Sequence, residues 1–201
     1  KDLPVDSLAE VKAKRYPIKL SLGPTGVLPA YLGPTVFAMY GMSVEDIKRW
    51  GGSIIHASWT DSVNMVRDGH IDGIFTTSPP KDAYIVELTT VKPCKVLTFE
   101  ESIIDAMKEY GYGKGYLPGG TYKGIDKDIL TFTDSVLLSA NPKLPDDAAY
   151  LVTKLTVENK PRLVKAFSSF EYFEPTKAHK DLPVPLHKGA ERYYREKGLI
   201  T

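Results

Sequence analysis

The sequence predicts an α/β fold in which a parallel or mixed sheet is covered by flanking helices. Segments 18–22, 53–57 and 71–77 have the composition of strands, and helical patterns lie between them. Strands that alternate with helices along a chain are typical of a parallel sheet, because each crossover helix returns the chain to the same end of the sheet. The alternation extends through residues 16–110, so we expect the sheet to lie in this part of the chain.

The composition is that of an ordinary globular protein. The 201 residues are 42% hydrophobic and 25% charged, and the net charge is +1. No overall field therefore attracts nucleic acid, and we expect no nucleic-acid partner. No apolar run is long enough to cross a bilayer, and the single cysteine, Cys94, excludes an internal disulfide. The chain begins with Lys1 rather than Met, so we expect that it has been processed or cut.

The segment 18–40 is the centre of the prediction. Ile18–Leu22 alternates apolar and polar residues, Gly23–Gly26 interrupts regular structure, and apolar residues at helical spacing follow to Tyr40. The first N–H groups of a helix have no internal partner, and the helix end carries partial positive charge. We therefore predict that this turn holds one end of a small anion. The same pattern also fits a plain connection.

Capping residues predict further helices. Ser7 with Glu10, and Ser43 with Asp46, have the spacing of a capping box, and the second of these helices is expected to end before Gly51. The remaining elements predicted up to residue 110 are a loop at Trp59, a helix capped by Thr60 or Asp61 and closed by Gly69, a short helix over 83–86, a strand over 95–99 and a helix over 100–110.

The composition changes after residue 110. Gly111–Gly124 holds six glycines and has little helical or strand pattern, which predicts a long loop. Beyond it we predict strands over 129–132 and 136–139, and helices over 145–159, 161–170 and 187–197.

Several motifs occur in an order that resembles a known family. They are Ser7–Arg15 followed by a strand and Gly23–Gly26, Val66–Phe75 (VRDGHIDGIF), Leu117–Gly124 (LPGGTYKG) and Pro185–Tyr194 (PLHKGAERYY). In this order they resemble the TAXI family, the extracytoplasmic solute receptors of TRAP transporters. The first turn departs from the Gly-Pro-Gly-Ser-Gly-Thr pattern of that family, because a hydroxyl residue is lost and Pro29 is gained.

The resemblance implies the two-lobed, type 2 periplasmic binding protein fold. Residues 1–122 would form the second ligand-binding lobe with a hinge segment at 1–6, and residues 123–201 would return to the first lobe. Asp2–Val5 and Tyr122–Lys127 are the candidate crossovers between lobes. Nothing here matches the N-terminal part of the family, so we expect one wall of the pocket and weak or absent ligand binding.

A ligand of an open α/β sheet lies at the carboxyl ends of the strands. Trp59 can cover an apolar ligand there, but it also fits simple packing, and 76–78 also fits a strand-end turn. Tyr116 and Tyr122 fit a pocket wall or a hinge. The residues predicted to bind ligand are Pro24, Thr25, Gly26 and Val27 after the first strand, Trp59 and Thr60 after the second, and Thr76, Thr77 and Ser78 after the third.

The leading functional prediction is a solute-binding protein and not an enzyme. It would capture a small organic anion, such as an amino acid or a carboxylate, in the periplasm or otherwise outside the cytoplasm, and deliver it to membrane permease subunits. The export signal would lie outside this chain. No catalytic residue, metal ligand or cofactor is predicted, since the histidines lack metal-ligand spacing.

Two alternatives stay open from the sequence. One is an enzyme on the same scaffold, a small transferase or dehydratase, for which His56 and Asp61 are the near candidates for an acid or base. Cys94 has no patterned histidine beside it, which argues against a nucleophile. The other alternative is a ligand-sensing module.

Overall fold

The structure, a computed structural model, describes residues 3–180, 182 and 184–201. The chain divides into two compact units, one that ends at Thr133 and one that begins at Asp134. The assignment of 1–122 and 123–201 to two lobes stays a prediction. Lys1 and Asp2, which belong to the predicted hinge segment, lie outside the described residues.

A parallel sheet forms the centre of the first unit. Its strands are β1 (Lys19–Ser21), β2 (Ser53–Ile55) and β3 (Gly73–Ile74), and their order in the sheet is β2-β1-β3. Leu20 of the central strand lies opposite Ile54 on one side and Gly73 on the other. The prediction of an α/β fold with a parallel sheet and flanking helices is confirmed.

Capping residues start the helices where the sequence predicts. The Ser7 hydroxyl oxygen accepts a hydrogen bond from the Glu10 N–H at 3.2 Å. Ser43 and Asp46 form the full capping box, because the N–H of each donates to the side chain of the other. The helices of this unit are α1 (Leu8–Lys14), α2 (Leu28–Met39), α3 (Val44–Arg49), α4 (Trp59–Asp68), α5 (Ala83–Val91) and α6 (Glu101–Ala106).

Helices cover the sheet on both faces. Leu20, Ile54 and Phe75 belong to a core that also holds buried side chains of α1, α2 and α3. The alternate positions Ile55 and Ile74 pack in a second core with side chains of α4 and α5. Successive side chains of a strand point to opposite faces, so even short strands contribute side chains to both cores.

The structure corrects four predictions around the second and third strands. Trp59 is not in a loop but is the first residue of α4, and Ser58 caps this helix instead of Thr60 or Asp61. The third strand is shorter than 71–77, and α5 extends well beyond residue 86. Ser58 was missed because any of several adjacent polar residues can cap a helix, and the choice depends on where the strand ends.

Pairing between distant segments explains the errors in the predictions for 95–99 and 111–124. Residues 95–99 do not form a strand. They contain one isolated bridge, at Thr98, whose N–H donates to the Asp6 carbonyl oxygen at 3.1 Å. The predicted loop 111–124 contains a strand, β4 (Gly113–Leu117), which pairs antiparallel with β5 (Ile129–Thr133). The predicted strand at 136–139 is not formed, and the predicted helix 100–110 ends as a 3-10 turn over Met107–Tyr110.

The second unit contains α7 (Asp146–Glu158), α8 (Lys160–Ala166) and α9 (Lys188–Glu196). The predicted helix 161–170 ends early and is followed by a 3-10 turn over Ser168–Tyr172. α9 packs closely on α7, because Gly189 brings its backbone against the Asp146 carbonyl. His187 caps α9 through its Nδ1 atom, which accepts from Gly189 N–H at 3.2 Å.

Candidate functional site

Segments that follow all three parallel strands meet in one open cleft of about 450 Å³ in the first unit. The start of α2 provides one wall, the start of α4 a second, and the connection from β3 to α5 the third. All of these lie beyond the carboxyl ends of the strands, where open α/β sheets bind ligands. The lining residues are Val27, Leu28, Pro29, Trp59, Thr77, Ser78, Pro79, Asp82 and Tyr84.

A stacked pair of aromatic side chains forms part of the cleft wall. The rings of Trp59 and Tyr84 are stacked with their centroids 4.9 Å apart and their planes 3° from parallel. Gly23 also lies against the indole, since a Cβ atom at this position would overlap the ring. Trp59 thus packs against both a glycine backbone and a tyrosine ring, and it also lines the cleft.

Hydrogen bonds hold Tyr84 in place. Its hydroxyl group pairs with Thr76 Oγ1 at 2.6 Å, and burial raises the pKa of the phenol. Tyr122 supports the same wall from behind, because its buried hydroxyl oxygen accepts from Asp82 N–H at 3.4 Å. Thr76 and Tyr122 therefore position lining residues without lining the cleft themselves.

The first turn of α2 has fewer free N–H groups than the sequence predicts. Val27 N–H donates to the Pro24 carbonyl oxygen at 3.4 Å, and Ala30 N–H donates to the Val27 carbonyl oxygen at 3.1 Å. Pro29 has no N–H at all. Within the described part of the chain, Leu28 is the lining residue of this turn whose N–H has no partner. The predicted row of amides is therefore reduced to a single donor at the cleft wall.

Asp82 supplies a carboxyl group to the opposite wall. It caps α5, and its Oδ1 atom accepts from Tyr84 N–H at 3.3 Å. Partial burial raises the pKa of Asp82, and the hydrogen bond from Tyr84 only partly offsets this effect. The carboxylate is therefore less well solvated than a surface carboxylate, and a donor or cation from a ligand would stabilise it.

The structure brings together part of the predicted site. Val27, Trp59, Thr77 and Ser78 line the cleft, one or two from each predicted cluster. Thr76 stands behind it as the partner of Tyr84. The remaining predicted residues, Pro24, Thr25, Gly26 and Thr60, lie beside the cleft and are not part of its lining.

Sequence reasoning missed the lining residues Asp82 and Tyr84 and did not assign Leu28, Pro29 or Pro79 to the ligand. A signal for Asp82 was present, since an Asp directly before a predicted helix is a capping residue. The helix that follows a parallel strand begins at the carboxyl end of that strand, so its cap lies at the ligand edge. Tyr84 had no comparable signal.

The candidate acid and base of the enzyme alternative have structural partners. His56 Nδ1 lies 3.2 Å from the Gly23 carbonyl oxygen, and Asp61 accepts from the Ser58 hydroxyl at 2.7 Å. Neither residue lines the cleft. Cys94 is half-buried, its thiol donates to the Lys92 carbonyl oxygen at 3.3 Å, and burial raises its pKa, which disfavours the nucleophilic thiolate.

Comparison with known families identifies the relatives of this fold. The NMT1-like family matches residues 1–198. The chain belongs to the NMT1-like family. This is a periplasmic binding protein-like family, and membership supports a solute-binding role and a location outside the cytoplasm. None of the helices in the described residues combines the length and the apolar character that a membrane span needs. The narrower resemblance to the TAXI receptors stays a prediction.

Proposed function

We propose that this NMT1-like protein is a solute-binding protein of a TRAP transporter of the TAXI type. It captures a small organic acid, an amino acid or a carboxylate, in the cleft between the starts of α2, α4 and α5, and delivers it to a membrane permease. The observation that carries this proposal is the convergence of segments after all three strands on one cleft in a chain of a binding-protein family.

The cleft offers suitable groups for one carboxylate. Leu28 contributes a free N–H at the positive end of α2, and Thr77 and Ser78 contribute hydroxyl-bearing side chains to the facing wall. Hydroxyl and N–H donors hold a carboxylate without a buried cation. The indole of Trp59 provides an apolar surface beside these donors, which suits the carbon skeleton of a small acid.

The geometry favours binding over catalysis. A general acid or base must reach the reacting group, and neither His56 nor Asp61 lines the cleft. Both side chains already have hydrogen-bond partners that belong to the fold. The candidate acid and base of the transferase or dehydratase alternative therefore have no supporting observation in the site.

Tryptophan fluorescence tests the proposal directly. The chain has two tryptophans, and Trp50→Phe leaves Trp59 as the reporter in the cleft wall. We expect saturable changes in Trp59 emission on titration with small amino acids and carboxylates, with dissociation constants in the millimolar range for a cleft this open. Trp59→Phe in the presence of Trp50 is the matched control and should show no such change, because Trp50 packs against the core on α3.

Nuclear magnetic resonance distinguishes cleft binding from surface association. Amide signals of Leu28, Thr77 and Ser78 should shift together on titration, and those of α9 in the second unit should not. A screen in which no small acid shifts the cleft signals, or in which the shifts spread over both units, contradicts the proposed function. Loss of uptake of the identified solute after deletion of the gene would then test the delivery step.

A further inference from the structure

The charge of the cleft wall differs from what capture of a simple anion requires. Among the described lining residues, Asp82 alone carries a formal charge at neutral pH, and none of them is basic. A dicarboxylate in this cleft would have one carboxylate near the Leu28 N–H and the other in a wall that carries a negative charge. Like charges a few ångströms apart repel each other, and more strongly where water is partly excluded.

The Asp82 carboxylate has unused capacity for a hydrogen-bond donor. Oδ1 accepts one bond from Tyr84 N–H, whereas a carboxylate can accept about four. No other hydrogen bond to this carboxylate occurs within the described part of the chain. Because the carboxylate is partly buried, water solvates it less well than it solvates a surface carboxylate. A hydrogen-bond donor from a ligand would therefore stabilise the carboxylate.

The aromatic pair supports the same conclusion. Trp59 and Tyr84 present a stacked apolar surface in the same cleft as Asp82, and Tyr84 lies two residues after Asp82 in the first turn of α5. A protonated amine is attracted to a carboxylate and tolerated beside aromatic rings, whereas a second carboxylate is favoured by neither.

We propose that Asp82 binds a protonated amine of the solute, so that the cleft selects a zwitterionic amino acid over the corresponding simple acid or dicarboxylate. This inference rests on the proposed function, since it assigns the second pole of the same ligand. Leu28 and the hydroxyl groups of Thr77 and Ser78 take the carboxylate, and Asp82 takes the amine.

Matched pairs of compounds that differ only in the amino group provide the test. They are alanine and propionate, leucine and 4-methylpentanoate, and glutamate and glutarate. Each is titrated into the Trp50→Phe protein, with Trp59 emission as the readout. At least one amino acid should bind about 10-fold to 100-fold more tightly than its partner, as expected for a charge-assisted hydrogen bond.

Asp82→Asn tests the residue without removing the helix cap. Asn caps a helix as well as Asp does, and its side-chain oxygen still accepts from Tyr84 N–H, so the fold should be retained. In this variant the preference for the amino acid should fall to about threefold or less, because a neutral amide replaces the charged acceptor. Asp61→Asn is the matched control. It also removes a carboxylate near this edge of the sheet, but Asp61 does not line the cleft. It should leave the preference unchanged.

The outcomes separate this inference from the proposed function. Acids that bind as tightly as their amino partners overturn the role of Asp82 and leave capture of a small acid intact. A preference for amino acids that persists in Asp82→Asn also overturns it, because the amine must then bind elsewhere. Failure of every compound to alter Trp59 emission overturns the proposed function, and this inference with it.

Discussion

Gly23→Ala is the sharpest test of how the cleft wall is built. Gly23 follows β1 and has a φ of +73°, in the left-handed region that disfavours a side chain. An added methyl group would lie 2.8 Å from Cζ3 of Trp59 and closer still to Cη2 of the same ring. The indole is also stacked on the ring of Tyr84, so a displacement of the indole disturbs that contact as well.

The expected cost has two parts. Left-handed backbone costs an alanine about 1–2 kcal/mol relative to glycine. Displacement of the indole is overpacking, which costs about 1–3 kcal/mol. The free energy of unfolding should therefore fall by about 2–5 kcal/mol in Gly23→Ala.

Gly26→Ala provides a matched control on the same turn. Gly26 also has a positive φ, of +91°, but an added Cβ atom would meet nothing within 4 Å. The entropy that alanine removes from the unfolded chain is the same at both positions and cancels in the comparison. The difference between the two variants, about 1–3 kcal/mol, therefore measures the contact with Trp59 alone.

Urea denaturation measures the stability, and Trp59 emission in a Trp50→Phe background measures the position of the indole. Gly23→Ala should shift that emission to longer wavelength as the ring moves towards water, and Gly26→Ala should not. Equal losses of stability in both variants, with identical emission spectra, would refute the close packing of Trp59 against Gly23.

Further predictions concern a buried hydroxyl pair, the pH dependence of stability and the second unit. Ser62→Ala should cost about 1–3 kcal/mol by urea denaturation, because Ser62 accepts from the buried Ser21 hydroxyl at 2.7 Å and donates to the Ser58 carbonyl oxygen at 2.8 Å; an unchanged midpoint contradicts this. Burial raises the pKa of Asp82 in the folded state, so its contribution to stability is complete below the usual carboxyl pKa and is lost as pH rises through the raised value. The wild type should therefore lose stability relative to Asp82→Asn across that window, and a difference that stays constant from acidic to neutral pH would exclude this shift. Gly189→Ala should lower the stability of the second unit by about 1–3 kcal/mol or more, since a Cβ atom there would meet the backbone of α7. An unchanged thermal unfolding transition would show that α7 and α9 are not in close contact at this position.

Local signals in the chain predicted the elements that depend on local physics. The Ser43 capping box and the Gly69 helix end each require only neighbouring residues, and the structure confirms both, while the strand predicted over 18–22 forms over Lys19–Ser21. The largest error occurred where the pairing partner is distant in sequence. Gly113–Leu117 has little strand pattern of its own and becomes a strand because Ile129–Thr133 pairs with it.

The candidate site shows the same division. The order of strands and helices placed Val27, Trp59 and Thr77 at one edge of the sheet, because the carboxyl ends of parallel strands lie together. Which side chains enter the cleft was decided by contacts between segments, such as the stack of Trp59 on Tyr84. No periodicity in the chain encodes that stack, since it joins residues on two different helices.

The sequence by itself determined the α/β class, the Ser7 and Ser43 helix caps and the edge of the sheet at which the candidate cleft lies, since these follow from backbone hydrogen bonding and the spacing of apolar residues. Only the structure decided that hydrogen bonds from Val27 and Ala30 leave few free amides at the start of α2 and that Asp82 gives the cleft wall its charge. The physical reason is that a cleft is defined by the groups that remain unsatisfied after packing, and packing is a property of the whole unit.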